Sequence, residues 1–334
     1  MSTDSGHTIA IDLMGGDRGA DVTLPASFRC AKLNPGIHFK LFGSAKLKSH
    51  PVFKLQNVSL VASESDVTMS DLPSNAIRRK RSSSMQLSLN ALKNAEANVL
   101  VSAGNTGALM AMAYLTLKTI RKVSRPAILS SIPSLTNHHT LVLDVGANAS
   151  CDPRQLLEFA ALGASVALCE GRHNPSVGLL NIGHESHKGH DLIQDAHKIL
   201  SNNAALNYIG FIEPDKVLEG QVDVVVCDGF SGNIMVKSME ASVSTIAQKI
   251  KAVSQKSYLH GIVALLFKLA FKSKLRKLHP ENNSHGMLVG LNGMVVKSHG
   301  AVSENGFFNA INYSINLLSG PDLKFSCHQF LNES

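Results

Sequence analysis

The sequence has few cysteines, and they form no recognisable pairs. The number is odd and no two are spaced as in a CxxC motif, which argues against a zinc site and for a reducing compartment. We therefore expect no metal and no cofactor. The five cysteines, in a chain of 334 residues, are Cys30, Cys151, Cys169, Cys227 and Cys327.

Long apolar runs are also lacking. None approaches the roughly 18 residues needed to cross a bilayer. The opening residues, MSTDSGHTIAIDL, have neither the basic region nor the long apolar stretch of a signal peptide. We therefore expect a cytoplasmic protein.

Familiar enzyme motifs are missing as well. The chain has no GxGxxG dinucleotide fingerprint, no Walker lysine motif, and no Ser/His/Asp set at recognisable spacing. These absences disfavour nucleotide-binding enzymes of those classes and hydrolases with a serine nucleophile.

Positive charge is concentrated in one segment. The net charge is +7, yet Ala241 to Pro280 contains eight basic residues and no acidic one. The rest of the chain carries 24 basic and 25 acidic residues, so a surface built for nucleic acid is disfavoured. A second basic run, Arg78 to Arg81, is either a solvated face or a contact for an anionic partner.

Short apolar runs alternate with helical patterns along the chain, which predicts an α/β protein with a mostly parallel sheet. The pattern also predicts one helix over Asn75 to Asn94, one strand over Met287 to Val296, and a helix from Ile234 to Ile250. No linker or repeat divides the chain, so we expect a single domain over residues 1–334, with a helical excursion over residues 240–285.

Five predicted strands end in small and polar residues. Parallel strands joined by helices would place all five turns at one edge of the sheet. Glycine N–H groups, amides and a lysine at such an edge would bind an anion of phosphate type. The five turns are Asp12–Asp17, Ala103–Gly107, Asp144–Asn148, Gly183–Gly189 and Asp228–Asn233.

Structural roles compete with ligand binding in these turns. Asn105 and Thr106 stand where a helix N-cap belongs, and capping alone would explain them. His184 and His187 suggest a metal, but no third ligand follows at suitable spacing.

Six motifs together resemble one family. DLMGGD, SAGNTGAL, LDVGAN, NIGHESHKG, VCDGFSGN and GLNGMVVKSHG occur in the order typical of the bacterial phosphate acyltransferases called PlsX, from about Ile9 to Leu318. The resemblance implies transfer of a fatty acyl group from acyl carrier protein to inorganic phosphate. It also implies a three-layer α/β/α fold similar to isopropylmalate and isocitrate dehydrogenases, and a homodimer. The acyl phosphate product would feed phospholipid synthesis through a membrane glycerol-3-phosphate acyltransferase.

Such a reaction needs no side-chain nucleophile, because phosphate itself attacks the thioester. We predict that Lys188 balances the phosphate charge and that Asn233 binds the carbonyl or oxyanion. His299 is a candidate to protonate the thiolate, although a structural role is as plausible from the sequence. The predicted substrate-binding residues are Asp12, Gly15, Gly16, Asp17, Asn105, Thr106, Asn148, Glu185, Asp228, Gly232 and Lys297.

The stretch Ser257 to Leu278, SYLHGIVALLFKLAFKSKLRKL, mixes apolar residues with lysines. It is too short and interrupted to span a bilayer, but its composition suits the membrane interface. The alternative is a helix buried between two subunits. The predicted membrane contacts are Leu259, Ile262, Leu266, Phe267, Lys268 and Lys272.

The sequence is compatible with two other functions. A phosphotransacylase that uses a coenzyme A thioester would need the same turns, and only an assay separates the two donors. The basic segment alone would also fit a non-enzymatic protein of the membrane surface. A dehydrogenase is less compatible, because the sequence offers no cluster of metal-binding carboxylates.

Overall fold

The computed structural model describes residues 6–136, 139–185, 187–254, 285–318, 327 and 330–331. Within these ranges the chain forms one mixed β-sheet of eleven strands. The strands are β1 (Thr8–Asp12), β2 (His38–Ser44), β3 (Val58–Ser63), β4 (Val99–Ser102), β5 (Ala127–Pro133), β6 (His139–Leu143), β7 (Ser176–Leu180), β8 (Asn207–Ile212), β9 (Val224–Val226), β10 (His285–Val289) and β11 (Met294–Ser298).

Helices connect most of these strands. Two 3₁₀ helices, Ala45–Ser49 and Pro51–Lys54, lie between β2 and β3. The α-helices of the described residues are α1 (Ala20–Leu33), α2 (Pro73–Arg79), α3 (Ser84–Lys93), α4 (Thr106–Leu117), α5 (Pro153–Cys169), α6 (Asp191–Ser201), α7 (Pro214–Glu219), α8 (Gly229–Ser254) and α9 (Glu304–Leu317).

The strand directions divide the sheet into two halves. The strand order is β3-β2-β1-β4-β11-β10-β5-β6-β9-β7-β8. Neighbours pair in parallel except at β11–β10, β10–β5 and β5–β6. Consequently β1, β4 and β11 run one way, and β6, β9 and β7 run the other way.

The expectation that all five polar turns share one edge is therefore wrong. The turns after β1 and β4 lie at one edge, and the turns after β6, β7 and β9 lie at the opposite edge. The physical reason is the antiparallel pair β5–β6, which reverses the direction of the second half.

The expected three-layer α/β/α arrangement is confirmed. One face of the sheet is covered by α1, α5, α6 and α9, and its buried side chains form one continuous core. On the other face the core is divided between one cluster under α2, α3 and α4 and another under α7 and α8. On β5, Ile128 belongs to the first of these and Ile132 to the second. Within the described ranges, no helix covers the sheet between α4 and α8.

Two predicted elements are each split into two. The helix predicted over Asn75 to Asn94 is α2 followed by α3. The first helix ends at Arg79, with Lys80 as its C-cap, and Ser83 caps the second by accepting a hydrogen bond from the Gln86 N–H (3.2 Å). The strand predicted over Met287 to Val296 is the antiparallel hairpin β10–β11. Its connection carries Gly290 at φ +86°, a backbone conformation that favours glycine.

Helix α8 begins at Gly229, five residues before the predicted start at Ile234. Its residues 240–254 form the beginning of the expected excursion over 240–285, and residues 241–246 are exposed. The predicted membrane contacts, from Leu259 to Lys272, lie outside the described residues. Among the helices of the described ranges, none combines the length and apolar character that a membrane crossing requires.

Candidate active site

A cleft of about 850 Å³ lies where the sheet is uncovered between α4 and α8. One wall is α4, with Thr106, Met110 and Tyr114, and the other is α8, with Asn233 and Lys237. The floor comes from β5 and the β10–β11 hairpin. Five of the predicted site residues line this cleft, namely Thr106, Asn148, Asn233, Lys297 and His299.

The loop after β6 is organised by Asp144, which is fully buried. Its Oδ1 accepts hydrogen bonds from the backbone N–H groups of Ile128 (3.0 Å), Gly146 (3.1 Å) and Ala147 (2.9 Å). Its Oδ2 accepts from the Asn148 N–H (2.6 Å) and the Asn148 side-chain amide (2.9 Å). A carboxylate with five donors holds the loop in one conformation beside the cleft.

The first turn of α8 packs directly on this loop. The Gly229 N–H donates to the Asn148 carbonyl (2.7 Å). A Cβ at Gly232 would stand 2.0 Å from the Asp144 carbonyl oxygen, so no larger residue fits there. The glycines thus bring the helix close enough for the Asn233 amide to lie about 3.6 Å from the Cβ position at Gly146. Gly232 therefore shapes the site through packing.

At the other edge of the sheet, Asp12 holds the turn after β4. Its carboxylate accepts hydrogen bonds from Ser84 Oγ (2.6 Å) and Ser102 Oγ (2.7 Å). Ser102 Oγ in turn accepts from the Gly104 N–H (3.0 Å). Burial raises the pKa of Asp12, and the two serine hydrogen bonds partly oppose this. Asp12 thus acts on the site through its neighbours.

The glycines of the DLMGGD motif are required by close packing between turns. A Cβ at Gly15 would stand 2.6 Å from the Gly104 nitrogen. Gly16 has φ +95°, and a Cβ there would stand 2.9 Å from the Gly300 carbonyl oxygen, which also accepts the Asp17 N–H (2.9 Å). The turns after β1, β4 and β11 therefore form one unit, and Gly15, Gly16 and Asp17 support the cleft without being among its lining residues.

Lys297 is the buried cation of the cleft, with 7% of its surface exposed. Its Nζ donates to the backbone carbonyl of Ser298. Burial lowers the pKa of Lys297 to about 8, while the nearby carboxylates of Asp12 and Asp17 act in the opposite direction. This amine thus loses its proton more easily than an exposed lysine.

His299 follows Lys297 and is exposed at the same end of the cleft. Its Nδ1 accepts a hydrogen bond from the Ala301 backbone N–H, with 3.3 Å between the two nitrogens. The neutral ring therefore carries its proton on Nε2. That nitrogen is the one available to a ligand.

Two predicted binding residues serve as helix caps. The Asn105 oxygen accepts from the Ala108 N–H (3.0 Å), while its amide nitrogen donates to the carbonyls of Met69 (2.8 Å) and Asp71 (3.0 Å). Asp228 accepts from the N–H and hydroxyl of Ser231, at 2.8 and 3.0 Å. The capping role considered for Asn105 is confirmed, and its amide is fully engaged within the protein.

Lys188 and Glu185 occupy the loop after β7, next to the loop after β9 but apart from the lining of the cleft. Glu185 is exposed and Lys188 is half-buried. The Lys188 carbonyl accepts from the Asn181 amide (3.1 Å) and from the Gln194 amide, which fixes the backbone of the loop. The role predicted for Lys188 stays a prediction.

Several cleft residues escaped the sequence analysis. Arg125, Lys237 and Glu240 line the cleft, and Asp144 orders its loop. Arg125 precedes a strand, β5, that was not predicted, and Lys237 and Glu240 belong to a helical pattern without a motif. Asp144 was noted only as part of a turn. The signal that would have found it is a strand ending in Asp before a Gly-containing loop.

The geometry also changes how an anion would be bound. The N–H groups of Gly146, Ala147 and Asn148 point to Asp144, and the Gly104 N–H points to Ser102. These backbone donors are therefore not free for a ligand. Charge recognition in the cleft falls to cationic side chains. Among the described residues these are Arg125, Lys237 and Lys297, and the lining carboxylate is Glu240.

Several solved structures share this fold. EutD phosphotransacetylase from Staphylococcus aureus aligns with a TM-score of 0.60 at 17% identity, covering 97% of this chain and 95% of that one. A phosphotransacetylase from Streptococcus pyogenes gives 0.61 at 16% identity, covering 94% and 95%. A putative 4-hydroxythreonine-4-phosphate dehydrogenase from Salmonella typhimurium gives 0.56 at 12% identity, covering 94% and 100%. At these identities the likeness concerns the fold.

Sequence comparison identifies the family. The model of a family described as fatty acid synthesis protein matches residues 7–321. The phosphate acyltransferase of Legionella pneumophila (strain Corby) is 40% identical over 314 residues, 92% of each chain. That of Shewanella sp. (strain MR-4) is 40% identical over 316 residues, again 92% of each. The chain is therefore an acyltransferase and belongs to the phosphate acyltransferase (PlsX) family.

Proposed function

We propose that this enzyme transfers a fatty acyl group from acyl carrier protein to inorganic phosphate, with acyl phosphate as the product. The observation that carries the proposal is that the lining of the cleft is both apolar and cationic. Met110, Tyr114 and Val236 supply an apolar surface, while Arg125 and Lys297 supply positive charge. An acyl thioester and a phosphate need these two environments side by side.

The chemistry requires positioning more than proton transfer. A phosphate oxygen attacks the thioester carbonyl carbon, a C–O bond forms, the C–S bond breaks, and the thiolate leaves. Holding both reactants in one cleft raises their effective concentration. Asn233 is the proposed donor to the carbonyl oxygen, because its amide lies at the cleft wall beside the loop that Asp144 orders. His299 is the proposed proton donor to the thiolate.

The experiment is a direct assay of the purified full-length protein. Acyl-acyl carrier protein is mixed with inorganic phosphate, and acyl phosphate is trapped with hydroxylamine as the hydroxamate. We expect hydroxamate that depends on both enzyme and phosphate. The same assay with acyl-coenzyme A tests the alternative donor, and preference for acyl-coenzyme A would replace acyl carrier protein in the proposal.

Two variants test the proposed residues. Asn233→Ala and Lys188→Ala are each expected to lower acyl phosphate formation at least about a hundredfold, the effect of losing one donor or charge partner in a transition state. Asn305→Ala serves as a surface control, because its exposed side chain bonds Arg29 (2.8 Å) and neither residue lines the cleft. Near-normal turnover in a folded Lys188→Ala protein would remove that residue from the mechanism.

We also propose that the enzyme is a cytoplasmic homodimer that binds the membrane surface peripherally. Support comes from the sequence Ala241 to Pro280, with eight basic residues and no acidic one. Lysines beside apolar residues reach anionic headgroups while the apolar groups enter the interface. Acyl phosphate is amphipathic, and its proposed consumer is a membrane glycerol-3-phosphate acyltransferase, so release at the membrane would suit both.

Flotation with liposomes tests this placement. Wild type is expected to float with anionic vesicles at low salt, and Leu266→Glu is expected to stay in the soluble fraction as an intact dimer. Failure of the wild type to float would refute membrane binding. Loss of the dimer in Leu266→Glu would instead assign the segment to the subunit interface.

A further inference from the structure

Arg125 supplies positive charge to the cleft, and its own surroundings indicate which group it binds. It is exposed and lines the cleft at the start of β5, together with Asn148 and Lys297. Among the described residues, no carboxylate lies within ion-pair distance of its guanidinium. Its charge is therefore available to a ligand.

Both neighbours of Arg125 are anchored to buried groups. On one side, Glu158 Oε2 accepts hydrogen bonds from the Ser124 N–H (2.8 Å) and hydroxyl (2.7 Å). On the other side, the Pro126 carbonyl accepts from the Asn148 side-chain amide (2.9 Å). Glu158 belongs to α5 and is 4% exposed, so the first anchor is rigid.

A buried carboxylate is costly unless it is compensated. Glu158 accepts two hydrogen bonds from Ser124, an exposed residue directly before Arg125. The second anchor links Arg125 to Asn148 and hence to Asp144, the residue that orders the loop facing Asn233. The position of Arg125 is thereby fixed relative to the opposite wall of the cleft.

The ligand is indicated by what else the cleft offers. The loop N–H groups that would ordinarily bind an anion are turned onto Asp144. Lys297 is buried and has a pKa lowered to about 8, whereas a guanidinium keeps its charge at all relevant pH values. The planar N–H donors of the Arg125 guanidinium can bind two phosphate oxygens at once.

We propose that Arg125 is the residue that binds inorganic phosphate in this cleft, and that Glu158 is its positioning residue, acting through Ser124. This rests on the proposed function, because it names the group that recognises the second substrate. Asn233, on the α8 wall, remains for the carbonyl.

Binding of inorganic phosphate to the protein alone separates this proposal from the acyltransferase proposal. Equilibrium dialysis with radiolabelled phosphate is expected to show a site that Arg125→Ala weakens between tenfold and a hundredfold, as for the loss of a charge-assisted pair. The phosphate affinity of Arg125→Lys should lie between those of wild type and Arg125→Ala, because lysine keeps the charge and lacks the planar donors. Arg121→Ala is the matched control: it is an exposed arginine of the same connection that does not line the cleft.

Kinetics supply the second readout. With the acyl donor saturating, Arg125→Ala should raise the KM for phosphate by the same factor and leave the KM for the acyl donor unchanged. Glu158→Gln should raise the KM for phosphate a few fold with the same selectivity, while its melting temperature is recorded to detect misfolding. Ser124→Ala, which removes one of the two hydrogen bonds, provides the milder version.

The outcomes discriminate cleanly. Phosphate binding that is unchanged in Arg125→Ala overturns the assignment, even if acyl phosphate is formed. Binding lost in Arg125→Ala and retained in Arg121→Ala supports it, even if no acyl donor reacts. Equal KM increases for phosphate and acyl donor would mean that Arg125 only maintains the shape of the cleft, and this also overturns the proposal.

Discussion

Replacing Asp144 by asparagine should both destabilise the fold and disorder the site. The carboxylate is fully buried and accepts five hydrogen bonds. Asparagine keeps one oxygen. In its best orientation that oxygen takes the Oδ1 position and its three donors, and the new NH₂ group then faces the two donors of Asn148.

The magnitude follows from those two contacts. They measure 2.6 and 2.9 Å with the carboxylate present, and donor would face donor in the variant. Each hydrogen bond to a charged group contributes about 1.5–3 kcal/mol, so the loss is about 3–6 kcal/mol. Removing a buried charge returns part of this. A net destabilisation of about 3 kcal/mol is the expectation.

Urea denaturation followed by circular dichroism measures the free energy of unfolding of Asp144→Asn and of wild type. Asp195→Asn is the control, because that carboxylate is exposed and pairs with Lys198 (2.9 Å) at the surface, a contact worth less than about 1 kcal/mol. Activity should fall as well, since the loop between Asp144 and Asn148 faces Asn233. If Asp144→Asn is as stable and active as the control, the role given to this carboxylate is refuted.

Three further variants test other parts of the site. Gly232→Ala should lower the free energy of unfolding by about 3 kcal/mol, measured by thermal melting, because its Cβ would stand 2.0 Å from the Asp144 carbonyl oxygen and push α8 off the loop after β6. Gly6→Ala is the control in the same measurement and should be neutral, because nothing lies within 4 Å of its Cβ position. Asn105→Ala should cost about 2–3 kcal/mol in urea unfolding, since a cap and two further hydrogen bonds are lost. Because the pKa of Lys297 is lowered to about 8, its charge is present below that pH and lost above it, so kcat/KM for phosphate should fall as pH rises through about 8. In Lys297→Arg, kcat/KM for phosphate should fall only at higher pH. An unchanged pH profile in that variant would contradict the assignment of this fall to Lys297.

Local features of the fold were predictable from the sequence. The strand ends before Asp144 and Asp228 show as β-branched or apolar runs followed by Asp and Gly, and a strand followed by a turn depends mainly on nearby residues. The Asn105 cap was recognised for the same reason. The α/β/α layers followed from the alternation of strands and helices.

Long-range features were not predictable because one strand was missed. Strand β5 reads AILSSIP, and its two serines and terminal proline obscure the apolar pattern. Only five residues separate β5 from β6, and parallel neighbours need a connection of a dozen or more. Recognising β5 would therefore have predicted the antiparallel pair that reverses half of the sheet.

The same gap explains the missed cation. The role of Arg125 depends on its place in the cleft whose floor includes β5. It also depends on the hydrogen bond of the preceding residue, Ser124, to Glu158, which lies 33 residues after Arg125 in the chain. No local pattern marks such a contact. The backbone N–H groups of Gly146 and Ala147, expected to bind phosphate, instead donate to Asp144. These contacts are visible only in the three-dimensional structure.

In the proposed reaction, this cleft joins an acyl group from acyl carrier protein to inorganic phosphate. The most direct measurement is mass spectrometry of the product formed by the purified enzyme from acyl-acyl carrier protein and ¹⁸O-labelled phosphate. We expect acyl phosphate that retains the label, in an amount that Asn233→Ala lowers at least about a hundredfold. Free fatty acid without acyl phosphate, or no consumption of the thioester, would contradict it.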